Sequence, residues 1–440
     1  MKRTLIQNIP DQIGQEIKIQ GWVKTIRDQK TVQFVIVRDH TGLVQVAVER
    51  SEQNAPFNRI ITDLTPESAI EVVGLVVESP RVGLGGVEVQ LERILVQSVA
   101  DALLPIDLTG RMGTGLDKRL DWRFLDLRQP ENLLIFRIQT TAEMAMRQFW
   151  MAEGFIEIHS PKLMGSPSES GAELFAMEYF GQTAYLAQSP QFYKQMAMAA
   201  GFDRVFEIGP VFRANPSFTS RHDTEFTSVD VEISWIDSHH DVMALEERWL
   251  QYVLRAVEDE HGRAIAETFE VEIKVPSVPF PKIVLEQGIE ILKAQGDTLP
   301  PDSKGDLDPQ AERLLAAHVA KNFDHEFVFV IDYPISVRPF YHMRYESDPD
   351  KTKSFDLLWK GLEVTTGAQR EHRYDVLVSQ AREKGLGLEP IQFYLDFFKY
   401  GCPPHGGYGF GLTRMLMVML NKSNVREVTY LYRGPNRLQP

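Results

Sequence analysis

The sequence has a single cysteine, Cys402, among its 440 residues. One cysteine excludes both a disulfide framework and a cysteine-rich zinc site. No apolar run is long enough to span a membrane, and the amino-terminal stretch MKRTLIQNIPDQIG lacks the apolar core of a signal peptide. We therefore expect a cytoplasmic protein that has no association with a membrane.

The sequence also lacks an excess of positive charge and two common nucleotide-binding motifs. Its net charge of −14 argues against binding to nucleic acid through bulk charge, so we expect no DNA partner, although a local basic patch could bind RNA. No GxxxxGK[ST] motif occurs. The run GGYGFG has glycine at a period of two, unlike the GxGxxG turn of a dinucleotide-binding fold. An ATP site would therefore have to use arginine side chains.

A chain of this length predicts more than one domain. Residues 1–103 contain five strand-like runs with polar or glycine-rich turns, which is typical of a small closed barrel such as the OB-fold. Such barrels often stack nucleic-acid bases on exposed aromatic residues, and Trp22 and Phe34 are candidates. Taken alone, both are more typical of a barrel core. Residues 104–130 contain Pro105 and several glycines and are predicted to be a hinge.

The stretch from Phe206 to Trp235 reads as two strands joined by a polar loop. Alternate residues form one apolar face and one polar face, which predicts an antiparallel pair. The polar face carries Arg213, and the loop adds Arg221 and His222, a set that suits a site for phosphate and a cation. The alternative for each arginine alone is a surface ion pair.

Several stretches together resemble one family. FEIGPVFRANPSFTSRHDTEF resembles motif 2 of the class II aminoacyl-tRNA synthetases, GGYGFGLTRMLMVML resembles motif 3, and GFIEIHSPKL resembles motif 1. LAQSPQFYKQ and SFDLLWKGLEVTTGAQR are similar to the subgroup for aspartate, asparagine and lysine. TEFTSVDVE and KSFDLL resemble aspartyl-tRNA synthetases of the shorter archaeal or eukaryotic type, and the asparaginyl branch typically has glutamate in place of Asp230.

The resemblance implies an α+β protein: an N-terminal OB-fold barrel, then a class II catalytic domain built on an antiparallel sheet flanked by helices. It also implies a homodimer, because motif 1 usually forms the interface in this class. The implied segments are an anticodon-binding barrel at 1–103, a hinge at 104–130, a catalytic domain at 131–440, motif 1 at about 131–163, motif 2 at about 205–235, motif 3 at about 406–420 and a peripheral insert at 262–310.

The resemblance further implies a role for individual residues. Arg213 would be catalytic and hold the α-phosphate of ATP. The full ATP-binding set would be Arg213, Arg221, His222, Phe226, Glu363, Gly409, Gly411 and Arg414. The aspartate-binding set would be Ser168, Glu169, Glu173, Gln191, Lys194, Asp230, Thr366, Gly367 and Arg370. Mg²⁺ would be held by Asp356, Glu363 and Thr366. The anticodon would be contacted by Lys24, Phe34, Gln45, Pro80 and Arg81.

The implied reaction is ATP-dependent activation of L-aspartate and its transfer to tRNA-Asp, or to tRNA-Asn as well. Two cations, Lys194 and Arg370, would favour a carboxylate over an amide. The alternatives are an asparaginyl-tRNA synthetase, a tRNA-independent amino-acid ligase and a non-enzymatic RNA-binding protein.

Several residues depart from the family pattern. Asn215 stands where a glutamate is common, and Gly434 where an aspartate is common. The family commonly has the run Phe-Tyr-Thr-Met-Pro, whereas residues 340–344 of this chain are Phe-Tyr-His-Met-Arg. Thr366 replaces a serine but keeps the hydroxyl group. These changes leave the implied ATP and aspartate contacts in place.

Overall fold

The computed structural model describes residues 1–110, 112–166, 173–216, 219–300, 303 and 305–440. The chain divides into two compact units, Met1–Leu133 and Leu134–Pro440. The division falls inside helix α4 (Pro130–Ala152). The two units are described separately below.

The first unit is a closed barrel, which confirms the predicted OB-fold. Its strands are β1 (Glu16–Asp28), β2 (Val32–Arg38), β3 (Leu43–Glu49), β4 (Ala69–Glu78) and β5 (Val87–Ser98), and helix α1 (Ala55–Asp63) connects β3 to β4. The strand order is β1-β2-β3-β5-β4. Alternate residues such as Ile17, Ile19 and Val35 fill the interior, because successive side chains of a strand point to opposite faces.

The segment predicted as a hinge contains two short helices, α2 (Leu116–Asp121) and α3 (Arg123–Asp126). It belongs to the first unit. Lys24 on β1 contacts it, because its ammonium donates hydrogen bonds to the carbonyl of Leu108 (2.8 Å) and to the side chain of Gln129 (3.3 Å). The barrel therefore holds this segment through side-chain contacts.

The second unit is built on a large mixed sheet. Its strands are β6 (Ile156–Glu157), β7 (Leu163–Met164), β8 (Ala176–Tyr179), β9 (Gln182–Leu186), β10 (Arg204–Phe212), β11 (Glu225–Ser234), β12 (Lys282–Val284), β13 (Phe327–Ile331), β14 (Ser354–Trp359), β15 (Leu362–Arg370) and β16 (His405–Gly411). The eight-stranded sheet has the order β12-β13-β14-β15-β16-β11-β10-β6, and β7, β9 and β8 form a small separate sheet. The large sheet is antiparallel except at its two edges, where β12 pairs with β13 and β6 pairs with β10 in parallel.

Helices flank this sheet. They are α5 (Gln191–Ala199), α6 (His239–Phe269), α7 (Leu285–Ala294), α8 (Pro309–Phe323), α9 (Tyr374–Glu383), α10 (Gln392–Asp396), α11 (Leu412–Met419) and α12 (Val425–Val428). Helix α6 begins at a capping box in which Ser238 and Asp241 bond each other's backbone N–H groups. Trp150 of α4, Trp249 of α6 and Tyr408 of β16 meet in the core between these helices and the sheet. In the described ranges, no helix combines the length and the apolar character needed to cross a membrane.

The same core contains a buried acid, Glu246 of α6. Its Oε1 accepts a hydrogen bond from the hydroxyl of Thr365 on β15 at 2.5 Å. Burial raises the pKa of this carboxyl to about 8, and the charge of Glu247 adds to the rise. The folded protein therefore keeps Glu246 protonated at neutral pH.

This proton makes stability depend on pH. Between pH ~4.5 and ~8 the unfolded chain releases the proton that the folded protein retains, so the free energy of unfolding contributed by Glu246 falls as pH rises. We expect the melting temperature of Glu246→Gln to fall less between pH 6 and pH 8.5 than that of the wild type. Calorimetry at both pH values measures this, with Glu258→Gln at an exposed position of the same helix as the control. An equal fall in the melting temperatures of the wild type and Glu246→Gln would contradict the assignment of a raised pKa to Glu246.

Candidate functional site

A cavity of about 330 Å³ opens where β11, β15 and β16 lie side by side. The register places Asp230, Gly409 and Thr366 in one row across these three strands. The predicted residues that line the cavity are Glu173, Gln191, Arg213, Arg221, His222, Phe226, Asp230, Glu363, Thr366, Arg370, Gly409, Gly411 and Arg414. Every residue of the predicted ATP-binding set is therefore in one place.

The remaining predicted residues do not line the cavity. Lys194 and Asp356 are buried beside it, and a side chain at Gly367 would face the ring of Phe355, with its Cβ only 2.2 Å from the Cζ atom. Ser168 and Glu169 lie outside the residues that the structure describes.

One end of the cavity offers a flat platform. The guanidinium carbon of Arg213 lies 5.4 Å from the centroid of the Phe226 ring. Gly409 and Gly411 leave β16 without a side chain at two positions that line the cavity. Gly407 differs, because an added Cβ would lie 2.0 Å from the carbonyl oxygen of Val231, so strand packing requires this glycine. The platform suits a flat aromatic base, with a cation beside it.

Arginines from separate segments surround the middle of the cavity. Arg414 of α11 donates to the backbone carbonyl of Glu363 at 2.9 Å and lies 3.3 Å from its carboxylate. Arg221 donates to Glu312 of α8 at 2.9 Å, and burial raises the pKa of Glu312 to about 7. A phosphate group could take the place of these carboxylates, because arginine binds both anions in the same bidentate manner.

Burial and the neighbouring arginines also lower the pKa of His222. The imidazole is therefore mostly neutral at pH 7, and its Nδ1 lies 2.5 Å from the hydroxyl of Thr219. His222 contributes a hydrogen-bonding group to the cavity wall instead of a further positive charge.

The predicted metal ligands are only partly available. Asp356 of β14 accepts a hydrogen bond from Arg338 at 2.5 Å, so one of its two oxygens is already paired. Burial, followed by the charge of Glu363, raises the pKa of Asp356 to about 6, although Arg338 opposes the rise. Its Oδ1 is buried and has no hydrogen-bond partner within 3.5 Å among the described residues.

A metal would therefore need oxygens from a bound phosphate. Across the part of the chain that the structure describes, no three His, Cys, Asp or Glu side chains are placed to hold a metal ion. Mg²⁺ commonly takes one or two protein carboxylates and completes its shell with phosphate oxygens and water. The buried Oδ1 of Asp356, which has no hydrogen-bond partner among the described residues, and the carboxylate of Glu363 could supply these protein ligands.

Arg370 lines the other end of the cavity and Lys194 is buried beside it, and both are paired with carboxylates. The ammonium of Lys194 lies 2.9 Å from Asp230 Oδ1 and 2.9 Å from the carbonyl of Tyr408. Glu232 receives a hydrogen bond from the Nε of Arg370 at 3.0 Å and lies 3.3 Å from the ammonium of Lys194. Two cations and two carboxylates balance, so an excess of positive charge cannot explain a preference for a carboxylate substrate.

Glu232 is one of the site residues that the sequence reasoning missed. Its side chain is fully buried. Burial alone would raise the pKa of its carboxyl, but the charges of Arg370 and Lys194 outweigh burial and lower it. The available signal was its position two residues after Asp230, on the same polar face of β11.

The first unit places its candidate residues differently. Phe34 is half-buried on β2 with exposed Arg27 opposite it on β1, and Pro80 and Arg81 are exposed in the turn between β4 and β5. The side chain of Gln45 is largely buried and donates to Glu88 at 2.9 Å. The ammonium of Lys24 donates hydrogen bonds to Leu108 and Gln129, and the anticodon contact predicted for Lys24 stays a prediction.

Comparison with known proteins places this architecture in a family. The model for tRNA synthetases class II (D, K and N) matches residues 115–433, and the model for the OB-fold nucleic acid binding domain matches residues 17–96. The chain is 44% identical over 430 residues to the aspartate–tRNA(Asp/Asn) ligase of Aeropyrum pernix. The aligned residues make up 97% of this chain and 96% of that protein. This chain is 43% identical over 427 residues to the aspartate–tRNA(Asp) ligase of Pyrococcus abyssi, which covers 97% of both.

A solved structure has the same fold. The asparaginyl-tRNA synthetase from Pyrococcus horikoshii complexed with asparaginyl-adenylate matches with a TM-score of 0.92 and 30% identity, over 100% of both chains. The fold therefore does not distinguish an aspartate enzyme from an asparagine enzyme, whereas the two aspartate–tRNA ligases named above are 43–44% identical to this chain. The chain belongs to the class II tRNA synthetases of the D, K and N group and, within it, to the family of its aspartate–tRNA ligase relatives.

Proposed function

We propose that the protein is an aspartate–tRNA ligase that activates L-aspartate with ATP and transfers it to the 3′ end of tRNA-Asp. The observation that carries this proposal is a single cavity with a flat platform at Arg213 and Phe226, further arginines in its middle and Arg370 at its far end. These are the binding elements that a nucleotide base, phosphates and an acidic amino acid require. Relatives 40–44% identical over 97–98% of the chain carry the name aspartate–tRNA ligase.

The reaction needs no side-chain nucleophile. The α-carboxylate of aspartate attacks the α-phosphorus of ATP, the bond to the β-phosphate oxygen breaks, and pyrophosphate leaves. A ribose hydroxyl of the tRNA terminus then attacks the carbonyl carbon of the adenylate and AMP leaves. The protein contributes positioning and stabilises the charge on the α-phosphate, for which Arg213 is placed beside the platform.

Asp230, Gln191 and Glu173 are proposed to bind the ammonium group of the substrate. All three line the cavity, and Asp230 is held by Lys194 and by the hydroxyl of Ser228 (2.5 Å). A carboxylate fixed in this way can accept a hydrogen bond from a substrate without changing its rotamer. This arrangement supports a binding role for Asp230 and a positioning role for Lys194.

Mg²⁺ is proposed to bind with ATP at Asp356 and Glu363, with Thr366 close by. When bound, the ion would neutralise phosphate charge. The hydroxyl of Thr366 donates to Glu363 Oε1 at 3.2 Å, which orients that carboxylate. Arg338 holds the other oxygen of Asp356, so Oδ1 is the oxygen available to the ion.

The tRNA anticodon is proposed to bind the OB-fold unit at Phe34, Arg81 and Pro80. The half-buried ring of Phe34 lies opposite the exposed Arg27. An aromatic ring beside a basic residue is the usual platform for an unpaired base. Relatives named for tRNA(Asp) and relatives named for tRNA(Asp/Asn) are similarly close, so tRNA-Asn is a second candidate acceptor.

We further propose a cytoplasmic location and a homodimer. A single cysteine suits a reducing compartment. Exposed apolar side chains in the motif 1 region, Met144, Met151, Ile156 and Leu163, support the dimer.

The amino acid is the sharpest test of this proposal. Purified protein with ATP, Mg²⁺ and labelled pyrophosphate is expected to catalyse exchange with L-aspartate. We expect its rate with L-asparagine at equal concentration to be at least ~100-fold lower. The second candidate is an asparaginyl-tRNA synthetase, which the similarity to the Pyrococcus horikoshii structure favours. Faster exchange with asparagine than with aspartate would replace the first proposal by the second.

A further inference from the structure

A chain of buried hydrogen bonds leads from Gln191 away from the cavity. Gln191 lines the cavity at the start of α5, and Gln195 lies one turn later on the same helix. The amide nitrogen of Gln191 donates to Oε1 of Gln195 at 2.9 Å. Nε2 of Gln195 lies 3.0 Å from Nε2 of His405 on β16. Nδ1 of His405 in turn lies 2.8 Å from the carbonyl oxygen of Pro403. Gln195 and His405 are both 0% exposed, so the chain is closed to solvent at this end.

The carbonyl of Pro403 fixes the tautomer of His405. Because a carbonyl oxygen only accepts hydrogen bonds, Nδ1 of the ring must carry a hydrogen. Burial lowers the pKa of His405 to about 4, although the charge of Glu232 and the bond to Pro403 oppose the fall. The ring is therefore neutral at pH 7, and its Nε2 is an acceptor.

This acceptor determines which way the two amides point. Gln195 must turn its NH₂ group toward Nε2 of His405, so its Oε1 faces the other way. There Oε1 accepts the hydrogen bond from Gln191 and a second one, at 3.0 Å, from the hydroxyl of Tyr394 on α10. Because Gln191 donates through its nitrogen, the other end of its amide is the oxygen.

The oxygen of Gln191 is open to the cavity. None of the described residues donates a hydrogen bond to this Oε1, and it is not one of the enclosed atoms that lack a partner. An atom of a cavity-lining residue that is neither bonded nor enclosed is accessible from the cavity. The amide thus presents an acceptor where an ammonium group needs one, whereas the reverse orientation would present an NH₂ group to a cation.

We propose that His405, acting through Gln195, fixes the amide of Gln191 with its oxygen toward the ammonium group of the amino-acid substrate. His405 and Gln195 are then positioning residues, and the inference rests on the proposed aspartate activation. Asp230 and Glu173 need no such control, because the two oxygens of a carboxylate are equivalent. An amide has two different ends, and only one of them binds an ammonium group.

Two substitutions at Gln195 test this inference. Gln195→Glu is isosteric, keeps the oxygen that accepts from Gln191, and takes up a proton that it shares with Nε2 of His405. Gln195→Met keeps the length of the side chain but loses the oxygen. We expect Gln195→Met to raise the KM for aspartate in pyrophosphate exchange by about tenfold, because an amide that is free to turn loses a hydrogen bond to a charged group. Gln195→Glu should keep this KM within about threefold, and both variants should keep the KM for ATP within about twofold.

A role in packing alone predicts the opposite order, because a buried site accepts methionine more readily than a carboxylic acid. Gln33→Met is the control. Gln33 of β2 is a fully buried glutamine that donates to Thr62 and accepts from Asn58, and it does not line the cavity. This control should lower the melting temperature and leave the KM for aspartate unchanged. A higher KM for aspartate in Gln195→Glu than in Gln195→Met overturns the inference, as does an unchanged KM in both.

A second measurement needs no substrate. In ¹⁵N-histidine-labelled protein, the histidine signal that changes in Gln195→Glu is assigned to His405. In the wild type at pH 7, this signal should be that of a neutral ring with its hydrogen on Nδ1. A wild-type ring with its hydrogen on Nε2 would reverse both amides and overturn the inference. Absence of aspartate-dependent exchange in the wild type would instead reject the proposed function.

Discussion

Replacing Arg213 with alanine is expected to reduce aspartate-dependent ATP–pyrophosphate exchange by roughly 10³-fold. Loss of a single neutral donor to a developing oxyanion costs about 10²–10³ in rate, and Arg213 supplies a full charge as well. Its guanidinium lies beside the Phe226 ring, at the end of the cavity where the base and the α-phosphate are proposed to bind. The loss should be mainly in kcat, with a smaller change in the KM for ATP, since other arginines line the same cavity.

A matched control removes an exposed arginine that does not line the candidate site. Arg263 on α6 is 90% exposed at its side chain and pairs with Glu267, one turn away on the same helix. Arg263→Ala should leave the exchange rate and the melting temperature unchanged, because exposed ion pairs contribute little. If Arg213→Ala behaves like Arg263→Ala, Arg213 has no part in the activation step.

Replacing Glu232 with glutamine is expected to destabilise the protein by about 3–5 kcal/mol and to weaken aspartate binding. The substitution leaves Lys194 and Arg370 buried with one carboxylate between them, and removal of one partner of a buried ion pair costs about this much. We expect the melting temperature to fall by roughly 5–15 °C. The KM for aspartate should rise at least ~10-fold, because Arg370 loses the contacts that fix its guanidinium.

Glu267→Gln is the control for this substitution, because it removes a carboxylate that is 63% exposed and pairs with Arg263. Calorimetry and exchange kinetics at several aspartate concentrations measure both effects. A Glu232→Gln protein with the melting temperature and aspartate KM of the wild type would contradict the role assigned to this carboxylate.

The local sequence pattern was sufficient to predict those strands in which apolar and polar residues alternate. The five runs of the barrel and the pair β10 and β11 follow from alternating apolar and polar residues, because each has one face in a core. The parallel edges of the large sheet could not be predicted in this way. β6 and β12 are only 2 and 3 residues long, too short to show a period.

The residues of the site were predictable as a set, but their charge pairing was not. Residues that the sequence motifs indicated line one cavity in the structure. The pairs Arg370–Glu232 and Arg338–Asp356 each join residues from different segments of the chain, so no spacing along the sequence indicates them. The same limit applies to Lys24, whose contact with the carbonyl of Leu108 could not be predicted from the sequence.

The charging of purified tRNA transcripts tests the central claim most directly. The protein is incubated with tRNA-Asp or tRNA-Asn and with labelled aspartate or labelled asparagine, and acid-precipitable label is counted. The account predicts aspartate on tRNA-Asp and asparagine on neither tRNA; aspartate on tRNA-Asn as well would define a relaxed acceptor choice by the OB-fold unit. Asparagine on tRNA-Asn without aspartate on tRNA-Asp would contradict the account.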